Sequence, residues 1–332
     1  MNSVEIAETL DRVDMYALAC KTNAKARLTD EENAAARELD ARFKEIGKAG
    51  HDKDHEIAQF ISKVITEERY NYPSELLDAM FDHDTIGEFD DYDITVLPPQ
   101  NTLVAYEAAK GGNVDRSFLD ISKLTKVERN LQLETEISFA EVRRGGWKTI
   151  ALLTQYAQEA LDNKKFKIIF DLLDASIASG AENYLLESSS LPTAATMDAM
   201  ALYLMEHSDN GSKTVVGLTK YIQAISKLQP YIAAEQVVQE LRNAGLLGYY
   251  DGCALYPINS THKVGNTELL FPDKKLYGIA GKIGVIDDKG TGNIYQHEDT
   301  NKEKFHLKFA DFSFGVMFNK DTLDKVFKVV LA

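Results

Sequence analysis

Residues 130–178 read NLQLETEISFAEVRRGGWKTIALLTQYAQEALDNKKFKIIFDLLDASIA, and the period of their apolar side chains changes partway along. Leu131, Leu133, Ile137 and Phe139 alternate with Asn130, Gln132, Glu134, Glu136 and Ser138, the pattern of a strand with one wet face. Arg143-Arg144-Gly145-Gly146 breaks this strand, and Trp147 opens a helix. The helix is read from Ile150, Leu153, Ala157, Ala160 and Leu161, then Ile168, Ile169, Leu172, Leu173 and Ile177. Its phase slips at Asn163-Lys164-Lys165, which predicts a kink or short break, and Gly180 closes it. About 30 helical residues at roughly 1.5 Å each span about 45 Å, long for a compact enzyme domain. Gly145 and Gly146 are the candidate hinge between strand and helix, because glycine reaches backbone angles closed to other residues.

Working back from this stretch, Ile94, Val96 and Leu97 precede Pro98-Pro99, and Leu103-Val104-Ala105-Tyr106 follows. Lys110-Gly111-Gly112-Asn113 marks a turn. With the alternating return limb, these residues predict a two-armed β-excursion of about 45 residues. Its tip carries Lys110, Asn113, Val114 and Arg116, a single valine among polar residues and glycines. So little apolar surface cannot hold a ribbon by itself, which makes those four residues candidates for contact with a neighbouring molecule.

The first 81 residues read as successive helices. Thr29 with Glu32 is a capping box ahead of Ala35, Leu39, Phe43 and Ile46. Ile57, Phe60, Ile61, Val64 and Ile65 repeat at helical spacing, and Leu76, Leu77 and Met80 form a short third segment. Residues 82–93 hold Asp82, Asp84, Glu88, Asp90, Asp91 and Asp93 with no Lys or Arg, and a solvated linker is expected. A cation site is the weaker alternative, since the spacing misses the calcium-loop pattern.

Beyond the long helix, residues 193–207 read as a helix and 214–217 as a short buried strand. Further helices are expected at 221–228 and 235–243, and strands at 255–258 and 275–280. The end is aromatic and alternating around Phe312, Phe314, Val316 and Phe318, then Val326, Phe327, Val329 and Val330, with a helical turn at 321–325.

Charge and chemistry narrow the function. The chain of 332 residues carries a net charge of −15. Residues 1–100 hold 11 Lys and Arg against 23 Asp and Glu, a balance of −12 that leaves −3 for the rest. Such a protein has no electrostatic grip on phosphate backbones, which argues against sequence-reading of nucleic acid. Cys20 and Cys253 lie far apart and suit free thiols in a reducing compartment, while MNSVEIAETLDRVD lacks the features of a signal peptide. No stretch approaches the roughly 20 apolar residues of a membrane span.

No catalytic set is legible. The fragment from Gly278 through Lys282 lacks the first glycine and the hydroxyl residue of a phosphate loop. Gly290-Thr291-Gly292 reads as a turn, and the His51/His55 pair as a surface pair. No metal, cofactor or enzyme activity is expected from these residues.

The order of elements resembles the major capsid proteins of tailed bacteriophages, whose fold encapsulin shells share. The most specific segment is ELRNAGLLGYYDGCALYPIN (residues 240–259), with its helix, glycine, Gly248-Tyr249-Tyr250-Asp251-Gly252 turn and apolar strand. The resemblance implies an α+β capsid fold and four parts. Residues 1–93 would be an acidic helical N-terminal arm and 94–142 an extended E-loop, two-stranded over 95–139. Residues 143–190 with 300–332 would form a P-domain carrying the spine helix at 147–178, and 191–299 an A-domain. It further implies hexamers and pentamers that close an icosahedral head around double-stranded DNA, assembled in the host bacterial cytoplasm and kept in the virion. The partners implied are copies of the chain itself, with scaffolding, portal and decoration proteins, DNA by proximity alone, and no membrane. An encapsulin-type cargo shell is the alternative, and an α+β enzyme with a noncontiguous site lies behind it. Some relatives cross-link a lysine on the loop to an asparagine; Lys110 and Asn319 are common residue types, and noncovalent contacts are expected.

Overall fold

The Ser138 side chain accepts from the Ala140 N–H, and the Glu141 carboxylate accepts from the Ser138 N–H. This capping box turns strand into helix at one residue. The strand therefore ends at Ser138, ahead of the arginine–glycine stretch expected to break it, and a seven-residue helix fills the interval.

The computed structural model describes residues 18, 21–22, 26–49, 75–87, 93–96, 122–125, 127–208, 212–228, 248–260, 263–265, 267–289, 293–299, 304–318 and 320–332. Among them, the first half of the chain holds α1 (Asp30–Ala49), α2 (Glu75–Met80), β1 (Phe81–Ile86), β2 (Asp93–Val96), β3 (Ser122–Thr125), β4 (Val127–Ser138), α3 (Phe139–Gly145) and α4 (Trp147–Ser176). Then come β5 (Tyr184–Glu187), α5 (Ala194–Glu206), β6 (Lys213–Leu218), α6 (Thr219–Ser226), β7 (Tyr249–Tyr250), β8 (Cys253–Ile258) and a small hairpin of β9 (Lys263–Val264) and β10 (Glu268–Leu269). The chain closes with β11 (Lys275–Ala280), β12 (Gly284–Lys289), β13 (Asn293–Asp299), β14 (Lys304–Phe318), α7 (Lys320–Leu323) and β15 (Val326–Leu331). The expected helices at 57–65 and 235–243 lie outside the described residues.

Two compact units divide these elements. One comprises Met1–Tyr72, Asn130–Asp162 and Thr291–Phe312; the other comprises Pro73–Arg129, Asn163–Gly290 and Ser313–Ala332. In the first unit, Thr29 and Glu32 exchange the hydrogen bonds of a capping box at 3.2 and 2.7 Å, and α1 buries Ala35, Leu39 and Phe43 as its spacing predicts. On β4, Leu131 and Ile137 are buried while Asn130, Gln132, Glu134 and Glu136 stay exposed. β13 pairs antiparallel with β14 from Asn293↔Ala310 to Asp299↔Lys304, and β4 also pairs with β14. Phe305, Leu307 and Phe309 point inward from β14, where Phe305 meets Phe139 edge-on at 6.4 Å. Each such buried ring is worth roughly 1.5–3 kcal/mol over an exposed one.

The second unit is built on a six-stranded sheet in the order β5-β15-β11-β6-β8-β7. It joins β15, from the segment expected to close the P-domain, to strands from 191–299. α5 packs on β11 and β15, and α6 on β6 and β8. The approach of α5 explains the fragment that looked like a phosphate loop. A Cβ at Gly278 would fall 2.7 Å from Leu204 Cδ1 and 2.9 Å from Met200 Cγ, so this glycine is there for helix-on-sheet packing.

Residues 82–86, expected as solvated linker, are instead strand. β1 pairs parallel with β12 from Phe81↔Gly284 to Ile86↔Lys289, with Lys282 bonded to Asp82. An edge strand satisfies its backbone through the ladder while its acidic side chains stay in water, so charge alone did not mark it as loop. β12 also pairs antiparallel with Ser313–Phe318 of β14.

The phase slip in α4 has an equally local cause. The helix is continuous from Trp147 to Ser176. Its first half buries Trp147, Ile150, Ala157 and Leu161, and its second half Ile169, Phe170 and Leu173. At 3.6 residues per turn these are two different stripes, so the slip is a change of buried face within an unbroken helix.

Candidate assembly site

The junction between α3 and α4 rests on one residue. Gly146 has φ 72° and ψ −169°, a region open essentially to glycine, and its N–H donates to the Val142 carbonyl at 2.8 Å. Gly145 is the last residue of α3, and a Cβ there would fall 1.9 Å from Thr149 Oγ1. Of the two candidate hinge residues, Gly146 has the special backbone, and Gly145 has the crowded one. Gly146 stands between two helices, α3 and α4, rather than between strand and helix.

Immediately after Gly146, Trp147 is 1% exposed and its indole N–H donates to Asp40 Oδ1 at 3.0 Å. Lys148 lies 3.8 Å from the other oxygen of Asp40. The start of α4 is thereby tied to α1.

Of the expected two-armed excursion, one short strand pair lies among the described residues. β2 and β3 pair antiparallel from Asp93↔Thr125 to Val96↔Ser122, with Ile94 opposite Leu124. The limb opposite residues 93–96 is therefore 122–125, while β4, expected as the return limb, is paired with β14. The inward face of β4 is committed to the first unit's core, which leaves the shorter β3 to close the ribbon. Lys110, Asn113, Val114 and Arg116 lie outside the described residues, as does Asn319. A two-stranded ribbon of this kind is marginal alone in water.

A polar hub escaped the sequence reading. In the second unit, Asp174 accepts from Tyr277 Oη at 2.6 Å, from Lys275 Nζ at 2.8 Å and from Lys328 Nζ at 2.8 Å. Lys328, 6% exposed, also donates to the Asp174 carbonyl at 2.9 Å and the Ile177 carbonyl at 3.4 Å. It thus satisfies carbonyls at the end of α4 from the strand β15. Burial pushes the Asp174 carboxyl up, but the bonds from Lys275, Lys328 and Tyr277 outweigh it and hold it down at about 2. Burial first, and then Asp174, push the Tyr277 hydroxyl well above its usual value. The sequence did carry a signal: a lysine between Val326-Phe327 and Val329-Val330 breaks an apolar strand and needs a partner.

The described surface carries several exposed apolar side chains. Among the described residues, no three His, Cys, Asp or Glu side chains gather as a metal site, and no helix is long and apolar enough to cross a membrane. Leu202 and Met205 on α5 and Tyr249 on β7 are exposed. The Tyr250 hydroxyl donates to Asp198 Oδ1 at 2.8 Å, which ties the β7–β8 hairpin to α5. Burial and Asp198 push the Tyr250 hydroxyl up to about 12, so it remains a donor at any pH of interest.

Comparison with known proteins bears on what such contacts serve. The family model described as "SPbeta prophage-derived putative capsid protein YonB" matches residues 5–322. No curated protein matches the chain. Among solved structures, a chain of Gordonia phage Cozz is similar at 10% identity and TM-score 0.55, with 80% of this chain and 90% of that chain covered. The mature capsid of bacteriophage PhiM1 is similar at 11% identity and TM-score 0.54, covering 80% and 89%. The capsid of an empty GTA particle is similar at 11% identity and TM-score 0.53, covering 80% and 92%. At these identities the likeness is one of fold: an α+β chain with the tailed-phage major capsid fold.

Proposed function

The chain belongs to the family of SPbeta prophage-derived putative capsid protein YonB, and from that premise we propose that it is the major shell subunit of a tailed-phage head. Its role is structural, that of a capsid protein. Copies of it join as hexamers and pentamers into an icosahedral shell around double-stranded DNA. The observation that carries this reading is the family match over residues 5–322, which spans both compact units.

Three physical features support it. The β2–β3 ribbon and the long helix α4 are elements whose stability or length suits contact with neighbours more than a closed globule. The exposed Leu202, Met205 and Tyr249 are apolar surface of the kind that association covers. A net charge of −15 keeps the shell from binding packaged DNA through counterion release.

On this reading residues 1–93 are the N-terminal arm, the ribbon between residues 94 and 142 is the E-loop, and α4 is the spine helix. Lys110, Asn113, Val114 and Arg116 form the intersubunit tip, and Gly145-Gly146 the hinge. Scaffolding, portal and decoration proteins are further partners, the host bacterial cytoplasm is the place of assembly, and the chain catalyses no reaction. Negative-stain microscopy of the purified full chain tests the proposal: rings and closed shells are expected, and a field of uniform small oligomers would contradict it. Nuclease-protected DNA inside phage-derived particles separates a phage head from a cargo shell.

A further inference from the structure

In the first unit, β13 and β14 set two histidines directly opposite each other, for His297 and His306 are register partners. The burial pattern fixes the face they share. Phe305, Leu307 and Phe309 are buried on β14, so the alternate positions, His306 among them, lie on the wetter side. On β13, His297 is exposed, as is Tyr295 two residues before it. The imidazole centroids are 6.4 Å apart with their planes inclined by 34°.

Opposed positions on antiparallel strands hold their Cβ atoms about 4.5–5.5 Å apart. Two imidazoles rooted that closely reach one ion at about 2.0–2.1 Å each after modest side-chain rotation, made chiefly by the exposed His297, with His306 half-buried. Neutral imidazole is the commonest protein metal ligand, and it suits zinc, copper and nickel over magnesium or calcium. β13 stands at the end of its strand order, so an ion shared with β14 would add a second link to the backbone ladder that holds it. We infer that His297 and His306 form a two-histidine site for a divalent transition cation such as Zn2+, with water completing the coordination.

The test is calorimetric titration of the metal-free full chain with zinc chloride. One saturable site per chain is expected, with no heat of binding from magnesium chloride. His297→Gln and His306→Gln should each weaken zinc binding by at least about tenfold, the loss seen even for partners outside the ligand set. His51→Gln with His55→Gln should leave the titration unchanged. Zinc should raise the melting temperature of the wild type and not that of either β-strand variant, whose melting without metal confirms that they fold. Absence of saturable zinc binding by the wild type overturns the inference. Zinc binding that survives both β-strand variants, or that is lost only with His51 and His55, overturns it as well.

Discussion

The indole N–H of Trp147 donates to Asp40 Oδ1 at 3.0 Å, across 107 positions of sequence. Trp147 is the first residue of the long helix and is fully buried, while Asp40 stands on α1. One hydrogen bond therefore attaches the start of α4 to the acidic N-terminal segment. Asp40→Ala leaves the buried N–H without its acceptor and should destabilise the dissociated protein by about 1–3 kcal/mol in urea unfolding. Asp40→Asn keeps a side-chain oxygen and should cost clearly less. Equal loss in the two variants would mean that the carboxylate's charge, rather than its hydrogen bond, matters.

Asp174 should be the most sensitive polar position of the second unit. Asp174→Ala strands the buried ammonium of Lys328 and the hydroxyl of Tyr277, a loss of about 3–5 kcal/mol in the same measurement. A change under 1 kcal/mol would show that water repairs the gap.

The same residue gives a pH signature. Its folded-state value of about 2 lies below the ordinary 3.8, so the unfolded chain takes up a proton that the folded one resists. The stabilisation is therefore complete above about 3.8 and disappears as pH falls through about 2. Stability of Asp174→Asn should fall less steeply than that of the wild type over this window in acid titrations followed by circular dichroism. Parallel curves would remove Asp174 from the acid response.

Gly146 should tolerate no side chain. Gly146→Val forces a branched residue into φ 72°, ψ −169°, at a cost of the order of 1–3 kcal/mol. Replacing both Gly145 and Gly146 by Val should impair assembly or trap an aberrant shell, read as particle yield and shape by microscopy. Normal particles from the double variant would count against the hinge.

The tip of the ribbon should act between molecules. Shortening residues 110–116 to Asn-Gly, a tight hairpin turn, should leave the melting of the dissociated protein nearly unchanged. The same variant should fail to close shells, or close fragile ones, because a weak contact repeated in every subunit becomes decisive. Intact particles of wild-type stability would show that the ribbon is not the clamp.

The elements most legible in the sequence were those whose own residues decide them. β11 is found over the residues its pattern marked, and α5 is bounded by Thr193 and His207, the two residues that opened and closed its reading. The Thr29–Glu32 box was visible because its partners are three residues apart. What stayed hidden depends on distant partners. Residues 82–86 became strand only because β12 stands beside them, and the return limb moved to β3 because β4 is held by β14. The Asp174 hub joins residues more than 100 positions apart. Only Lys328 betrayed it, as a cation inside an apolar run.

Sedimentation velocity of the purified full chain tests the central claim most directly, since a shell subunit and a soluble enzyme differ in mass far more than in any local property. A capsid subunit of 37.1 kDa should sediment as rings and shells of megadalton mass under assembly conditions, in equilibrium with a small dissociated species. A single boundary at monomer or dimer mass across concentration, salt and crowding agents would contradict the account.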